Sequence, residues 1–343
     1  MTEEFKKFAD RVTDELIDRL QEGGHNHITV GVRTVDTVGG SYETVNVKRT
    51  GSEMSVSANL SKAYETYMSG IPLDEIAENM AYQIGSALNQ LSLLDSDSIT
   101  DYQNVKERLI VELVPGDQRR KSLKNVPHGQ MADMAIVYKV MVDPGDISKG
   151  TILINNSLLG QYGITPEQLQ KDALENASRI RPAKITGMSE MLKQESLGEE
   201  ELLFVASSPD AMHGAGVIAY PGFLDQAAQQ LGGDFFVLPS SIHEVILAKD
   251  DGLLHAEELT DLVRTVNQNE VAPEDRLSDN AYHFDRREHI FELAEQFAER
   301  QRNNRGKDSL RGNLAEKARR VSEEKAHRLH HTSASKVKGG EAI

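Results

Sequence analysis

Two hydroxyls, an imidazole and a carboxylate fall together in Pro239-Ser240-Ser241-Ile242-His243-Glu244, the densest group of reactive side chains in the chain. With Asp210 and His213 from the neighbouring segment SSPDAMH, they could build a serine–histidine–carboxylate centre. In such a centre the imidazole takes the hydroxyl proton and the carboxylate fixes the imidazole's tautomer. The candidate site residues are therefore Ser240, Ser241, His243, Glu244, Asp210 and His213, and none of them is assigned a catalytic role by sequence alone. On an extended segment Ser241 and His243 share a face and Glu244 takes the opposite one. The competing reading is a capped turn, whose serines bond local amides and whose histidine is an interior polar residue. The residues favour that structural reading.

Other chemistry is tested by motif and mostly set aside. His243-Glu244 opens a zinc-protease pattern, but its second histidine position is Leu247 and the segment is strand-like, so the pattern fails. Gly214 to Ala219 matches G-x-G-x-x-A, yet the segment reads as a strand and not as a strand-to-helix turn. No G-x-S-x-G elbow and no G-x-x-x-x-G-K-[ST] phosphate loop occurs. His25 and His27 could be a metal pair; without a third ligand nearby they read as loop histidines beside a strand. Arg119, Arg120, Lys121 and Lys124 could meet an anion, or be a solvated loop balancing an acidic body. No cofactor and no metal is expected. The absence of cysteine excludes disulfides, thiolate catalysis and Cys-ligated metal, and fits a reducing cytoplasm.

The elements that must hold these residues follow from periodicity. Phe235–Leu238 and Val245–Ala248 are short apolar runs, read as buried strands flanking the 239–244 turn. Upstream, Phe5, Phe8, Val12, Leu16 and Leu20 predict an opening helix, followed by a hairpin over Ile28–Val35 and Tyr42–Lys48. Leu60–Met68 and the stripe Leu73, Ile76, Met80, Ile84, Leu88, Leu91 predict two more helices. Arg108–Val114, Met134–Val142 and Thr151–Asn155 read as strands, with Asp143-Pro144-Gly145-Asp146 as the turn between the last two. Thr165-Pro166-Glu167-Gln168 is a capping box that starts a helix reaching about Arg179. Residues 182–198 look like a linker, Leu202–Ala206 and Gly216–Tyr220 like strands, and Phe223–Leu231 like a helix. Ala256–Asn269 is another helix, Leu277–Asp285 is irregular or a short strand, and Ile290, Phe291, Ala294 and Phe297 mark a last buried helix.

Strands that come as hairpin-like neighbours, with helices between pairs, predict an α+β fold of mainly antiparallel sheets. The expected division is an N-terminal module over 1–95, a main domain over 101–298 and a basic, partly helical or disordered tail over 299–343. Net charge is −16. It is unevenly spread: residues 299–343 hold 12 Lys and Arg against 6 Asp and Glu, whereas residues 1–298 hold 26 against 48. An acidic body opposes nucleic acid and anionic membranes, so weak, non-specific nucleic-acid binding is expected only from the tail. No apolar run approaches a membrane span and the amphipathic start is no secretory signal, so a cytoplasmic protein is expected.

NVPHGQMADMAIVYKV at 125–140, GAGVIAYPGFLDQAAQQLGGDFFVLPSSIHEVIL at 214–247 and LSDNAYHFDR at 277–286 resemble an uncharacterised bacterial domain-of-unknown-function family of anaerobic Gram-positive gut bacteria. PSSIHE is the most specific segment. The resemblance implies a cytosolic accessory protein associated with mobile genetic elements, and implies no activity. Two functions therefore stand: a non-enzymatic binding or regulatory protein with an unknown protein partner, or a hydrolase or metal-assisted enzyme using the Ser240–Glu244 turn.

Overall fold

In a computed structural model the described residues are 2–37, 40–52, 55–93, 99–116, 121–143, 146–193, 201–239 and 241–304. Residues 1–293 form one compact unit, and a second begins at Ala294. The first unit holds two hydrophobic cores.

The N-terminal core starts with α1 (Glu3–Glu22), capped by Thr2, whose hydroxyl accepts from the Phe5 amide. Its apolar residues recur every three or four positions, so Phe5, Phe8, Val12, Leu16 and Leu20 form one buried stripe. β1 (Ile28–Thr37) and β2 (Gly40–Arg49) are a hairpin, and β3 (Val56–Asn59) pairs on the far side of β2. The sequence gives no strong signal for β3, which is only four residues long. α2 (Leu60–Met68) and α3 (Leu73–Leu93) complete the layer; Ile76, Met80, Ile84 and Leu88 of α3 meet the α1 stripe in one cluster.

The larger core lies between two antiparallel sheets. After a short α4 (Tyr102–Val105), β4 (Leu109–Pro115) pairs with β6 (Met134–Asp143), which also pairs with β5 (His128–Met131) and β7 (Asp146–Leu153). α5 (Asn156–Tyr162) and α6 (Pro166–Ile180) follow, α6 with the Thr165 hydroxyl accepting from the Gln168 amide as its capping box requires. The second sheet has the order β13-β12-β10-β11-β9-β8. It is made of β8 (Lys184–Gly187), β9 (Leu203–Ser207), β10 (Phe235–Leu238), β11 (Val245–Lys249), β12 (Tyr282–Asp285) and β13 (Ile290–Leu293). α7 (Met188–Met191), α8 (Phe223–Leu231) and α9 (Ala256–Asn269) connect its strands. Every strand pair in the described residues is antiparallel, so the α+β class holds.

Four expectations are corrected. Gly216–Tyr220 is no strand: Gly214–Ala219 is a 3₁₀ turn, almost wholly buried, wedged between the two sheets. The expected helix from Ile290 begins as β13, because Ile290 and Phe291 pair with Asp285 and Phe284, and the chain turns helical only at 294–304. The linker at 182–198 contains β8, an edge strand, and the single-turn α7. β5 was not expected; its HGQM has no apolar alternation, and pairing with β6 is what makes it a strand. The Pro144-Gly145 turn, Arg119 and Arg120, and the tail from 305 onward lie outside the described residues.

Candidate functional site

The 239–244 turn closes the hairpin of β10 and β11, whose register runs Phe235↔Lys249 to Leu238↔Ile246. Ser240 lies outside the described residues. Ser241 accepts at Oγ from the His243 amide at 3.0 Å, a local serine turn, and its own amide meets the Glu244 carbonyl at 3.4 Å. Glu244 is half-buried and joins the turn through its backbone carbonyl. The His243 ring bridges two segments. Its Nδ1 accepts from the His213 amide at 3.1 Å, and its Nε2 lies 3.4 Å from Asp275 Oδ1. A neutral ring that accepts at Nδ1 carries its proton on Nε2, the nitrogen facing the carboxylate. Both ring nitrogens are thus engaged in tying the 207–214 segment and the 273–275 turn to the hairpin.

Backbone contacts tighten the same clasp. Ser207 Oγ donates to the His243 carbonyl at 2.8 Å, and the Ala215 amide to the Ile242 carbonyl at 3.1 Å. Ile242 donates to the Asp275 carbonyl at 2.8 Å. A Cβ at Gly214 would sit 2.1 Å from Ser207 Oγ and 2.6 Å from both the His243 carbonyl oxygen and the Ser208 amide, so only glycine fits. That close packing explains the Gly-Ala-Gly of 214–216 without any nucleotide.

Asp210 serves Arg181. Arg181 Nη2 reaches Asp210 Oδ1 at 2.6 Å and Ser208 Oγ at 2.8 Å, Nε reaches Asp210 Oδ2 at 3.2 Å, and the guanidinium also donates to the Met212 carbonyl. Burial works against the Asp210 charge, but Arg181 and Ser208 outweigh it and hold the carboxyl below its ordinary value. The bracing matters because Ala211 and His213 both adopt left-handed backbone, at φ 52° and 50°. Non-glycine residues pay for that conformation and keep it only where surroundings over-determine it.

His213 meets a partner that sequence reading missed. Its Nδ1 lies 3.1 Å from Oε1 of Glu112 on β4, at an angle outside hydrogen-bond geometry, and Glu112 Oε2 is ion-paired with Lys139 of β6. Burial would raise the Glu112 pKa, yet Lys139 and His213 together bring it down to about 2. Glu112 pairs with Val137, and Lys139 stands two positions further along β6, so the two charges share one face of the sheet. The available signal was a single carboxylate inside IVELV and a single ammonium inside IVYKV: charges in buried strands must find each other. The imidazoles of His213 and His243 lie side by side, ring centroids 5.3 Å apart at 55°. Their side chains are 31% and 36% exposed. Tyr42 of β2 sits in the same field; burial first, then Glu274, Asp275 and Glu112, push its phenol up. Chemically, Glu112 sets a negative charge beside one imidazole that could move a proton at Nε2, whereas His243 is fixed as a strut.

Elsewhere, the His25 ring packs where a Cβ of Gly85 would fall, 3.2 Å from Nε2, and burial followed by Arg49 lowers its pKa. Among the described residues no cluster of three His, Asp or Glu side chains could hold a metal, and no helix is long and apolar enough to cross a membrane.

A family model described as a family of unknown function (DUF5688) matches residues 5–286. The chain belongs to DUF5688. The match contains both cores and every residue of the clasp, from Glu112 to Asp275. No curated protein and no solved structure matches it.

Proposed function

We propose that this DUF5688 protein is a non-enzymatic binding or regulatory protein of the cytosol, an accessory protein of anaerobic Gram-positive gut bacteria associated with mobile genetic elements. The observation that carries the reading is how the most reactive segment is used. Ser241 Oγ and both nitrogens of His243 are engaged in holding three chain segments together. The charge partition supports two binding functions on one chain: 48 Asp and Glu against 26 Lys and Arg over residues 1–298, and 12 Lys and Arg against 6 Asp and Glu beyond. The acidic body takes a protein partner, and residues 299–343 contact nucleic acid weakly, without sequence preference and with steep salt sensitivity. Affinity capture with the full chain and with a chain ending at Arg302 tests this: a partner retained by both identifies the body as the binder. Capture of no partner by either chain counts against it.

A second reading follows from the Glu112–His213 contact: an acid–base centre with His213 as proton carrier, which replaces the Ser240–Glu244 turn as the hydrolytic candidate. Unfolding measurements on variants separate the two readings. As a strut, His243→Ala loses about 1–3 kcal/mol through orphaned partners and Ser241→Ala loses less. As a site held at a cost to the fold, His213→Gly gains about 1 kcal/mol by releasing the left-handed strain, whereas a His213 that braces Glu112 loses stability on the same change.

A further inference from the structure

Strand β1 is the end strand of the N-terminal sheet. It pairs with β2 in ten successive antiparallel steps, Ile28↔Arg49 to Thr37↔Gly40, with no register shift. Among the described residues no strand pairs with its outer edge. Long, regular edge strands template further pairing, and proteins that must stay single blunt them with lysine, proline or a bulge. ITVGVRTVDT has none of the three. Thr29, Gly31, Val32, Arg33 and Thr34 are exposed.

The side chains also specify what pairs there. Val30 and Val32 stand opposite Val47 and Val45, both fully buried, so all four point to the core side of the sheet. Val30 packs against the N-terminal core, but Val32 is left 45% exposed. The covering layer stops short of an apolar face that Ile28, Val30 and Val32 continue toward the edge. A strand completing this face must offer β-branched apolar residues at every second position and small or polar ones between.

β1 itself has that pattern. We propose that β1 pairs with β1 of a second copy of this chain across a twofold axis, turning two three-stranded sheets into one of six strands. Antiparallel self-pairing places same-face residues opposite each other, so the contact is self-complementary, as a twofold interface requires. In a register centred on Val32, the two Val32 side chains meet, and Gly31 faces Arg33, leaving room for the guanidinium. The body's negative charge opposes association, but β1 carries only Arg33 and Asp36, of opposite sign.

Sedimentation velocity of the full chain over a concentration series tests the proposal. A concentration-dependent dimer is expected. Val32→Lys sets like charges opposite each other across the axis and weakens the dimer by about ten-fold or more. Because Val32 is half exposed, the variant's circular dichroism and unfolding midpoint remain those of the parent. The chain has no cysteine, so Val32→Cys under mild oxidation gives a covalent dimer that dithiothreitol reverses. Tyr82→Cys, 77% exposed on α3, gives none. A wild-type chain that stays monomeric to about 100 µM overturns the proposal, and points to an extended segment of another protein as the strand's partner. So does a dimer whose affinity Val32→Lys leaves unchanged.

Discussion

Glu112→Ala is expected to lose about 3–5 kcal/mol of unfolding free energy, because it strands an ammonium on a buried strand. Glu112 is 8% and Lys139 18% exposed, so water cannot replace the missing carboxylate cheaply. A matched change tests the cause. Glu112→Ala with Lys139→Met removes both charges and should be clearly less destabilised than Glu112→Ala alone, the coupling of a true pair. Acid gives an independent check. The folded pKa of Glu112 falls from 4.5 to about 2, so its contribution is whole above 4.5 and lost as pH drops toward 2. The stability gap between parent and Glu112→Ala should therefore narrow as pH falls through that window.

The second large effect is expected at Arg181, whose side chain is 5% exposed. Arg181→Met keeps the packed stem but removes the partner of Asp210, Ser208 and the Met212 carbonyl. A loss of about 3 kcal/mol is expected; it lies at the low end for a broken buried pair because Asp210 is 37% exposed and can be rehydrated. The location of the damage distinguishes this from general softening. Freed of Arg181, residues 208–213 can leave their left-handed conformations, so amide exchange and proteolysis should rise there first. The β4–β6 pairing, on the other sheet, should keep its protection.

Much of the architecture is legible in the sequence because it is local. The stripes of α1 and α3, the capping box at Thr165 and the runs Phe235–Leu238 and Val245–Ala248 depend on residues close together in the chain, and each folds where its pattern points. The antiparallel α+β class follows from their order. The errors fall where local pattern loses to tertiary contact. Gly216–Tyr220 has strand-like composition, but Gly214 and Gly216 press their backbones against Ser207, His243 and Val111, which leaves space for a 3₁₀ turn only. Ile290–Leu293 is a strand because β12 is there to pair with it.

The candidate site divides in the same way. Sequence by itself determined that the 239–244 turn would be polar, hairpin-closing and flanked by buried strands, and that Ser241 could cap it. It also identified His243, His213 and Asp210 as residues with chemistry to place. Only tertiary structure decided their partners: His243 to the His213 amide and Asp275, His213 to Glu112, which is itself paired with Lys139, and Asp210 to Arg181. These pairs lie 30 or more residues apart in most cases, and hydrogen bonds and ion pairs act over a few ångströms of space whatever the chain distance. A charge within a buried strand announces that a partner exists; which residue it is depends on how two sheets are brought face to face.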